Sequence, residues 1–156
     1  MRTSQNNKGF SLIELLIVVA IIGIIAAIAI PNLFASRRAA NEGSAQQSLR
    51  TMASAEATYK STAGNGSYGP VSDLVTQNLI DSTLGGGVKS GYNFTTNTDP
   101  VADPSVFVLA AAPTSVSFPA TGTREFCVDQ SGVMSAKTAA SATVATDCAG
   151  FTPTGN

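Results

Sequence analysis

The sequence predicts an α+β protein in which a long N-terminal helix packs on a small antiparallel sheet of three to four strands. The first observation is an apolar run near the N-terminus that passes into a segment with helical spacing of its apolar residues. The second is a series of short apolar or alternating runs, separated by glycine-rich and polar turns, in the rest of the chain.

The helix begins with an apolar run that has no polar side chain from Leu15 to Ile30. The stretch from Phe10 to Ile30 would be about 31 Å long as an α-helix, which matches the hydrocarbon core of a bilayer. A cleavable secretory signal is shorter and ends at a small-residue site, which Pro31 and the residues after it do not provide. Because Arg2 and Lys8 precede the run and no acid does, we expect the N-terminus to lie in the cytoplasm.

Glu14 is the charged residue within this run. A carboxylate at the centre of a bilayer costs about 2.5–3.5 kcal/mol, and less near the interface. Two interpretations follow from the residues alone. Either the side chain reaches the headgroups from its position near the end of the run, or it has a charged partner in another molecule.

Residues 8–14, which read KGFSLIE, and the LLIVVAIIGIIAAIAIP that follows resemble the N-terminal signature of type IV pilins and of the related pseudopilins of type II secretion. The resemblance implies that residues 1–9 are a cytoplasmic leader, cut between Gly9 and Phe10 by a prepilin peptidase, with methylation of the new Phe10 amine. It also implies a ladle-like fold, with a long helix laid on a small sheet.

The resemblance supplies a partner for Glu14, namely the α-amino group of Phe10 in a neighbouring subunit. Desolvation offsets most of the attraction of such a pair in a low dielectric. We therefore interpret the pair as the element that sets the register of a helical homopolymer, because any other offset between neighbouring helices leaves a charge unpaired.

Gly23 and Pro31 are the two helix-weakening residues of the apolar run. Glycine costs about 0.8–1 kcal/mol relative to alanine in a helix interior. Proline removes a backbone donor and clashes with the preceding turn, so we predict a kink at Pro31. The resemblance implies that the helix loosens between these two positions during assembly.

Beyond Pro31 the helix is predicted to continue to residue 62. One face at helical spacing is formed by small and apolar residues, namely Ala45, Leu49, Met52, Ala55, Tyr59 and Ala63. Polar residues are predicted to lie mostly off that face, namely Arg37, Arg38, Glu42, Gln46, Gln47 and Arg50. We therefore separate a transmembrane or filament-core helix at residues 10–33, its continuation at 34–62 and a β-rich globular domain at 63–156.

In the globular domain, residues 64–66 are predicted to end the helix, because Gly and Asn tolerate positive φ. Residues 71–80 suit a short helix or a connecting loop, and the glycines at 85–87 break it. Strands are predicted at residues 91–96, 105–111, 124–129 and 133–136, the last two joined by a hairpin turn at 130–132. The apolar start of the second strand indicates a central position in the sheet, and the chain from Thr138 on is expected to form loops.

Cys127 and Cys148 are the two cysteines of the chain. In an oxidising space we expect one disulfide between them, worth about 3 kcal/mol in the chain-entropy model, and two free thiols are the alternative. The region resembles the disulfide-bounded C-terminal loop of type IV pilins. Secretion-type major pseudopilins usually hold this loop with calcium, but Asp129 and Asp147 lack an oxygen-rich spacing, so we predict no metal site.

Composition argues against an enzyme and against nucleic-acid binding. The chain has no histidine, which excludes Ser/His and Cys/His arrangements, and its glycine-rich stretches lack the lysine of a phosphate-binding loop. Loss of residues 1–9 removes two of 9 basic residues, leaving 7 against 10 acidic residues and a net charge of −3. We therefore expect no cofactor and no nucleic-acid partner.

Three functions from different classes are considered for a chain with these features. The first is a type IV pilus subunit that spans the inner membrane once before assembly and then joins an extracellular filament, with itself, the prepilin peptidase and the inner-membrane assembly machinery as partners. The second is a pseudopilin of a type II secretion system, and the third is a membrane-anchored binding domain that never polymerises. The expected disulfide favours the first over the second, and the pattern of Gly9, Phe10 and Glu14 argues against the third. Adhesion and twitching motility are roles that a pilus could carry.

Overall fold

The computed structural model describes residues 9–99 and 106–154. Residues 1–8 of the predicted leader and Ser105, the first residue of a predicted strand, lie outside these ranges. The described ranges contain helices α1 (Leu12–Ser61), α2 (Val71–Thr76) and α3 (Ser82–Gly85), and strands β1 (Val88–Lys89), β2 (Tyr92–Asp99), β3 (Val106–Pro113), β4 (Arg124–Asp129), β5 (Met134–Thr138) and β6 (Thr152–Pro153). The predicted α+β class, with a long N-terminal helix and an antiparallel sheet, is confirmed.

The chain divides into two compact units, an N-terminal unit that ends at Ala35 and a globular unit that begins at Ser36. Helix α1 contributes residues to both. It runs through Pro31 without a break in its helical assignment, so the predicted kink stays a prediction. The helix ends one residue before the predicted limit, where Asn65 and Gly66 take positive φ values of 49° and 92°.

In the globular unit, α1 buries the predicted apolar face. Its buried residues are Glu42, Ala45, Ser48, Leu49, Met52, Ala55 and Glu56, and Tyr59 packs on the core while partly buried. Ala63 is exposed, contrary to the prediction, because it lies in the turn beyond the last residue of α1. Glu42 was also misassigned: it lies three residues before Ala45, and therefore on the same face.

The sheet has six antiparallel strands in the order β1-β2-β3-β4-β5-β6, so the predicted number of three to four is wrong. The four predicted strands correspond to β2, β3, β4 and β5. The two additional strands lie at the edges and are two residues long, too short to show an alternating pattern in the sequence. Strand β6 contains Pro153, which an edge strand tolerates because it needs no further ladder bond on that side.

Strand β3 has the central position that its apolar sequence predicted. It pairs with β2 from Tyr92↔Pro113 to Asp99↔Val106 and with β4 from Val108↔Asp129 to Ala111↔Phe126. Its residues after Val108 are buried throughout. The β4–β5 hairpin is also confirmed, with the Gly132 N–H donating to the Asp129 carbonyl at 2.9 Å and a positive φ at Gly132.

Two short helices connect α1 to the sheet. Helix α2 corresponds to the short helix considered for residues 71–80. Helix α3 was not predicted, because its glycines indicated only a break. Its N-cap is Asp81, whose carboxylate accepts the Leu84 N–H at 2.7 Å. Gly87 follows the end of the helix with a φ of 76°.

Candidate functional site

The N-terminal unit carries a continuous apolar surface on α1. From Leu12 to Leu33, the exposed fraction of the large apolar side chains ranges from 45% at Val18 to 81% at Leu12. Among the helices of the described ranges, α1 has the length and composition to cross a membrane, with a window of mean hydropathy 3.1 in which no residue is buried. Exposed apolar area costs about 25 cal/mol per Å² in water, so this surface requires lipid or protein around it.

Gly9 and Phe10 lie immediately before α1. Both residues are exposed and outside the helix, and a Cβ built on Gly9 would meet no atom within 4 Å. The first backbone hydrogen bond of the helix runs from the Leu15 N–H to the Ser11 carbonyl at 3.2 Å. The bond between Gly9 and Phe10 is therefore in non-helical, accessible backbone, which is the form in which a peptidase can bind a chain.

Glu14 lies in the first turn of α1, where an acidic side chain interacts favourably with the helix dipole. The side chain is exposed. Within residues 9–99 and 106–154, the ion pairs join Lys89 to Asp81, Arg124 to Glu42 and Lys137 to Glu125, and none involves Glu14. This geometry leaves the carboxylate accessible to a cation from another molecule.

Gly23 lies inside the apolar surface, and a Cβ there would meet no atom within 4 Å. Steric crowding within this chain therefore does not require glycine at that position. The assembly-related loosening between Gly23 and Pro31 stays a prediction.

The predicted disulfide between Cys127 and Cys148 is confirmed, with a Cα–Cα distance of 5.6 Å. Cys127 is fully buried on β4, so the bond fixes the C-terminal tail to an inner strand of the sheet. The tail is fixed further at Thr154, whose N–H donates to the Met134 carbonyl at 2.8 Å, and by the Lys137 ammonium 4.4 Å from the centre of the Phe151 ring.

Asp129 and Asp147, the two carboxylates near the cysteines, each accept hydrogen bonds from their own turn. Asp129 accepts the Ser131 N–H at 2.9 Å, and Asp147 accepts the Ala149 N–H at 2.9 Å. In the part of the chain that the structure describes, no three His, Cys, Asp or Glu side chains are grouped to hold a metal ion.

Glu42 joins α1 to the start of β4, a role that the sequence analysis missed. Its Oε1 accepts the Thr123 N–H at 2.9 Å and the Thr123 hydroxyl at 2.7 Å. Its Oε2 accepts from Arg124 Nε at 2.9 Å and pairs with Nη2 at 2.8 Å. Burial alone would raise the pKa of Glu42, but the hydrogen bonds from Thr123 and Arg124 hold it below its usual value. The available signal was a glutamate at helical spacing from the apolar face.

Glu56 is a second buried carboxylate on α1 and has no cationic partner among the described residues. Its Oε2 accepts the Gly69 N–H at 3.1 Å, and no hydrogen-bond partner in the described structure reaches its Oε1. Burial raises the pKa of Glu56 to about 7, against the opposing effect of the Gly69 hydrogen bond. This side chain fastens the turn after α1 to the helix.

An N-terminal helix with an exposed apolar surface, preceded by accessible backbone, defines the class: an α+β protein with an N-terminal segment built for membrane or protein packing. Comparison with known proteins narrows this class. Residues 4–30 match the prokaryotic N-terminal methylation motif. The chain is 66% identical over 38 residues to the type IV wide pilus major component PilA4 of Thermus thermophilus, covering 24% of this chain and 29% of that protein.

Two further relatives extend the match. The chain is 45% identical over 58 residues to the type IV major pilin protein PilA of Myxococcus xanthus, covering 37% of this chain and 26% of that protein. It is 27% identical over 93 residues to the type II secretion system core protein G of Escherichia coli, covering 60% and 62%. The matches thus span less than two thirds of each relative. No solved structure matches the chain significantly.

The motif and these relatives make the N-terminal part of this chain similar to type IV pilins and to a type II secretion core protein. The two pilin relatives are structural proteins and not enzymes, in agreement with the composition. The apolar N-terminal helix fits insertion into a membrane.

Proposed function

We propose that this protein is a structural subunit of a type IV pilus. A prepilin peptidase cuts the chain between Gly9 and Phe10, the new Phe10 amine is methylated, and subunits polymerise through the N-terminal segment of α1. The observation that carries the proposal is the methylation motif over residues 4–30, which includes the start of α1, an apolar helix surface that the monomer leaves exposed.

Before assembly, the apolar surface lies in the inner membrane, with the N-terminus in the cytoplasm and the globular unit on the far side. The assembly machinery of that membrane then transfers each subunit from lipid into the filament. In the filament, contacts between helices replace contacts with lipid tails, so association depends on packing and on polar pairs rather than on release of water. Glu14 supplies such a pair by meeting the Phe10 amine of a neighbour.

A pseudopilin of a type II secretion system is the second candidate. The observation that favours it is the match to core protein G of Escherichia coli, which extends over 60% of this chain. The disulfide between Cys127 and Cys148 supports the pilus instead, because the resemblance links this bond to pilins.

Electron microscopy of filaments sheared from the cell surface, with mass spectrometry of their subunit, tests the proposal. We expect filaments whose subunit begins at Phe10 and carries one additional methyl group on its amine. Absence of surface filaments under conditions in which the protein is expressed and secretion occurs would favour the pseudopilin. A subunit that begins at Met1 would contradict both candidates.

Gly9→Leu tests the cleavage step. We expect an uncut precursor in the membrane, because a bulky side chain obstructs close approach of the backbone to the peptidase. The matched control is Gly43→Leu, at an α1 position where a Cβ also meets no atom within 4 Å, and it should be cut normally.

A further inference from the structure

Arg37 and Arg38 are two adjacent cations on α1, shortly after the end of the apolar run. Arg37 is exposed and Arg38 is half-buried. In the part of the chain that the structure describes, the ion pairs belong to other cations, so neither arginine has a carboxylate partner there. Two adjacent cations without carboxylate partners form a local positive field that attracts an anionic group from another molecule.

The nearest acidic residue along the helix does not neutralise this pair. No aspartate or glutamate occurs between Glu14 and Glu42. Glu42 lies four residues after Arg38, which is the spacing of a helical ion pair. Its buried carboxylate instead bonds to Thr123 and Arg124. The start of β4 therefore occupies the one acid that the helix offers, and both arginines keep their charge.

The position of the pair along the chain places it at the depth of lipid headgroups. The apolar run from Phe10 to Ile30 matches the hydrocarbon core, and the polar layer beyond that core is about 5–8 Å thick. Arg37 follows Ile30 by seven residues of α1, which correspond to about 10 Å of helical rise, and a bend in the helix would only shorten this distance. Helical side chains lean towards the N-terminus, and the flexible stem of arginine lets its guanidinium group reach back to the polar layer.

The chain after this pair has the opposite charge. Four of the 9 basic residues and one of the 10 acidic residues lie at or before residue 38, so 5 basic and 9 acidic residues remain after it, with a net charge of −4. An anionic lipid surface therefore attracts the two arginines and repels the rest of the globular unit. The pair is the point of that unit that such a surface would hold.

We propose that Arg37 and Arg38 bind the phosphate groups of anionic phospholipids while the chain is in the membrane. The proposal rests on the part of the proposed function that places the apolar run in a membrane before assembly, and it names the class of lipid that this state selects. Guanidinium groups suit this partner because their planar fork donates paired hydrogen bonds to phosphate oxygens. An acidic site on another copy of the chain is the competing partner.

A tryptophan at the end of the apolar run reports which lipid lies next to the pair. The chain has no tryptophan, and Ile30 is 51% exposed and lies two helical turns before Arg37. The full-length Ile30→Trp chain is placed in vesicles of phosphatidylcholine and phosphatidylglycerol, with bromine in the acyl chains of one lipid or of the other. Both leaflets have the same composition, so the orientation of the chain does not affect the result. We expect phosphatidylglycerol to quench the tryptophan more strongly, with a relative binding constant of about fivefold for each arginine.

Three variants of the Ile30→Trp chain identify the groups responsible. Arg37→Gln with Arg38→Gln should bring the binding constants of the two lipids to within about twofold of each other, because the charge is lost. Arg37→Lys with Arg38→Lys keeps the charge and should keep most of the preference. The matched control is Arg50→Gln. Arg50 is also an exposed cation on α1, but it lies about 20 Å further along the helix than Arg37, so this variant should keep the full preference.

Equal quenching by the two lipids, or a preference that survives Arg37→Gln with Arg38→Gln, would overturn the inference. If equal quenching were accompanied by a loss of surface filaments in the double variant, the arginines would contact an acidic site on another copy instead. The unmodified chain would still form filaments in that case, so the proposed function would stand. A chain that fails to float with vesicles in a density gradient would overturn the membrane stage of the proposed function together with this inference.

Discussion

The two units of this protein use one helix in opposite ways. In the N-terminal unit, α1 is apolar around its circumference from Leu15 to Ile30, and its large apolar side chains there are exposed. In the globular unit, the same helix buries one face against the sheet and exposes polar residues on the other. A helix that is apolar all round requires a surrounding apolar phase, whereas a helix with one apolar face requires a single packing partner within its own chain.

Because of this difference, we expect one part of α1 to determine the folding of the monomer and the other part to determine its assembly. Substitutions on α1 in the globular unit should change the free energy of unfolding of the monomer. Substitutions on α1 in the N-terminal unit should leave it unchanged and alter only what the subunit does with other copies or with lipid.

The largest expected effect concerns assembly. Glu14→Val should leave membrane insertion intact or improved, because a charge is removed from the apolar run. The yield of filaments should fall on the order of a hundredfold, since removing one partner of a buried charge pair leaves the other uncompensated. Glu14→Gln serves as the isosteric control and should also assemble poorly. Normal filaments from Glu14→Val, counted by electron microscopy, would refute a role for Glu14 in register.

Two alanine substitutions on α1, one in each unit, test whether the two parts of the helix differ in their contribution to the stability of the monomer. Leu49 is fully buried, and Leu49→Ala should destabilise the globular unit by about 2–5 kcal/mol through lost burial and a residual cavity. Ile22 is exposed in the monomer, and Ile22→Ala should change the unfolding free energy by less than about 0.5 kcal/mol. Denaturant unfolding of both variants in detergent provides the measurement. Comparable losses would show that the N-terminal unit contributes to the stability of the globular unit.

Sequence reasoning succeeded where a pattern repeats over many residues. The apolar run and the face formed by Ala45, Leu49, Met52 and Ala55 extend over several helical turns, so one exception does not obscure them. The central position of β3 followed from its continuous apolar sequence for the same reason.

It failed where a residue is defined by a partner far away in the chain. Strands β1 and β6 are two residues long and exist because longer strands provide a template for them. Glu42 was expected on the polar side of α1, and its burial depends on Thr123 and Arg124, more than 80 positions later in the chain. Contacts between residues so far apart in the chain produce no periodic pattern in a single sequence.

The disulfide should contribute the next largest effect on the globular unit. A Cys127→Ser, Cys148→Ser double variant should lose about 3 kcal/mol of stability, because the unfolded chain gains the freedom of the opened loop. Thermal unfolding under oxidising conditions gives the measurement. Reduction of the unmodified protein should produce a comparable loss, and the double variant should not respond to reductant. An unchanged unfolding temperature in both experiments would show that the tail contacts of β6 suffice.

The smallest effect distinguishes two carboxylates on the same helix. The folded-state pKa of Glu56 is raised to about 7 from an ordinary value of 4.5, because its carboxylate is buried. The protonated side chain is therefore favoured by folding. Its contribution to stability is fully present below pH 4.5, declines as the pH rises towards 7, and is lost above that range. The hydrogen bond from the Gly69 N–H opposes the effect of burial on this pKa but does not cancel it.

Glu56→Gln should remove this decline, because an amide does not ionise. Between pH 7 and pH 8 we expect the variant to be more stable than the parent by about 1–2 kcal/mol, after allowance for solvent screening, and to lose this advantage below pH 4.5. Glu42→Gln is the opposing control: its folded-state pKa is lowered, so the parent carboxylate stabilises the fold above its ordinary pKa, and the variant should be the less stable protein at pH 7. Parallel stability curves for parent and Glu56→Gln from pH 4 to pH 8 would show that Glu56 stays ionised in the fold, and its unpartnered oxygen would then have to be solvated.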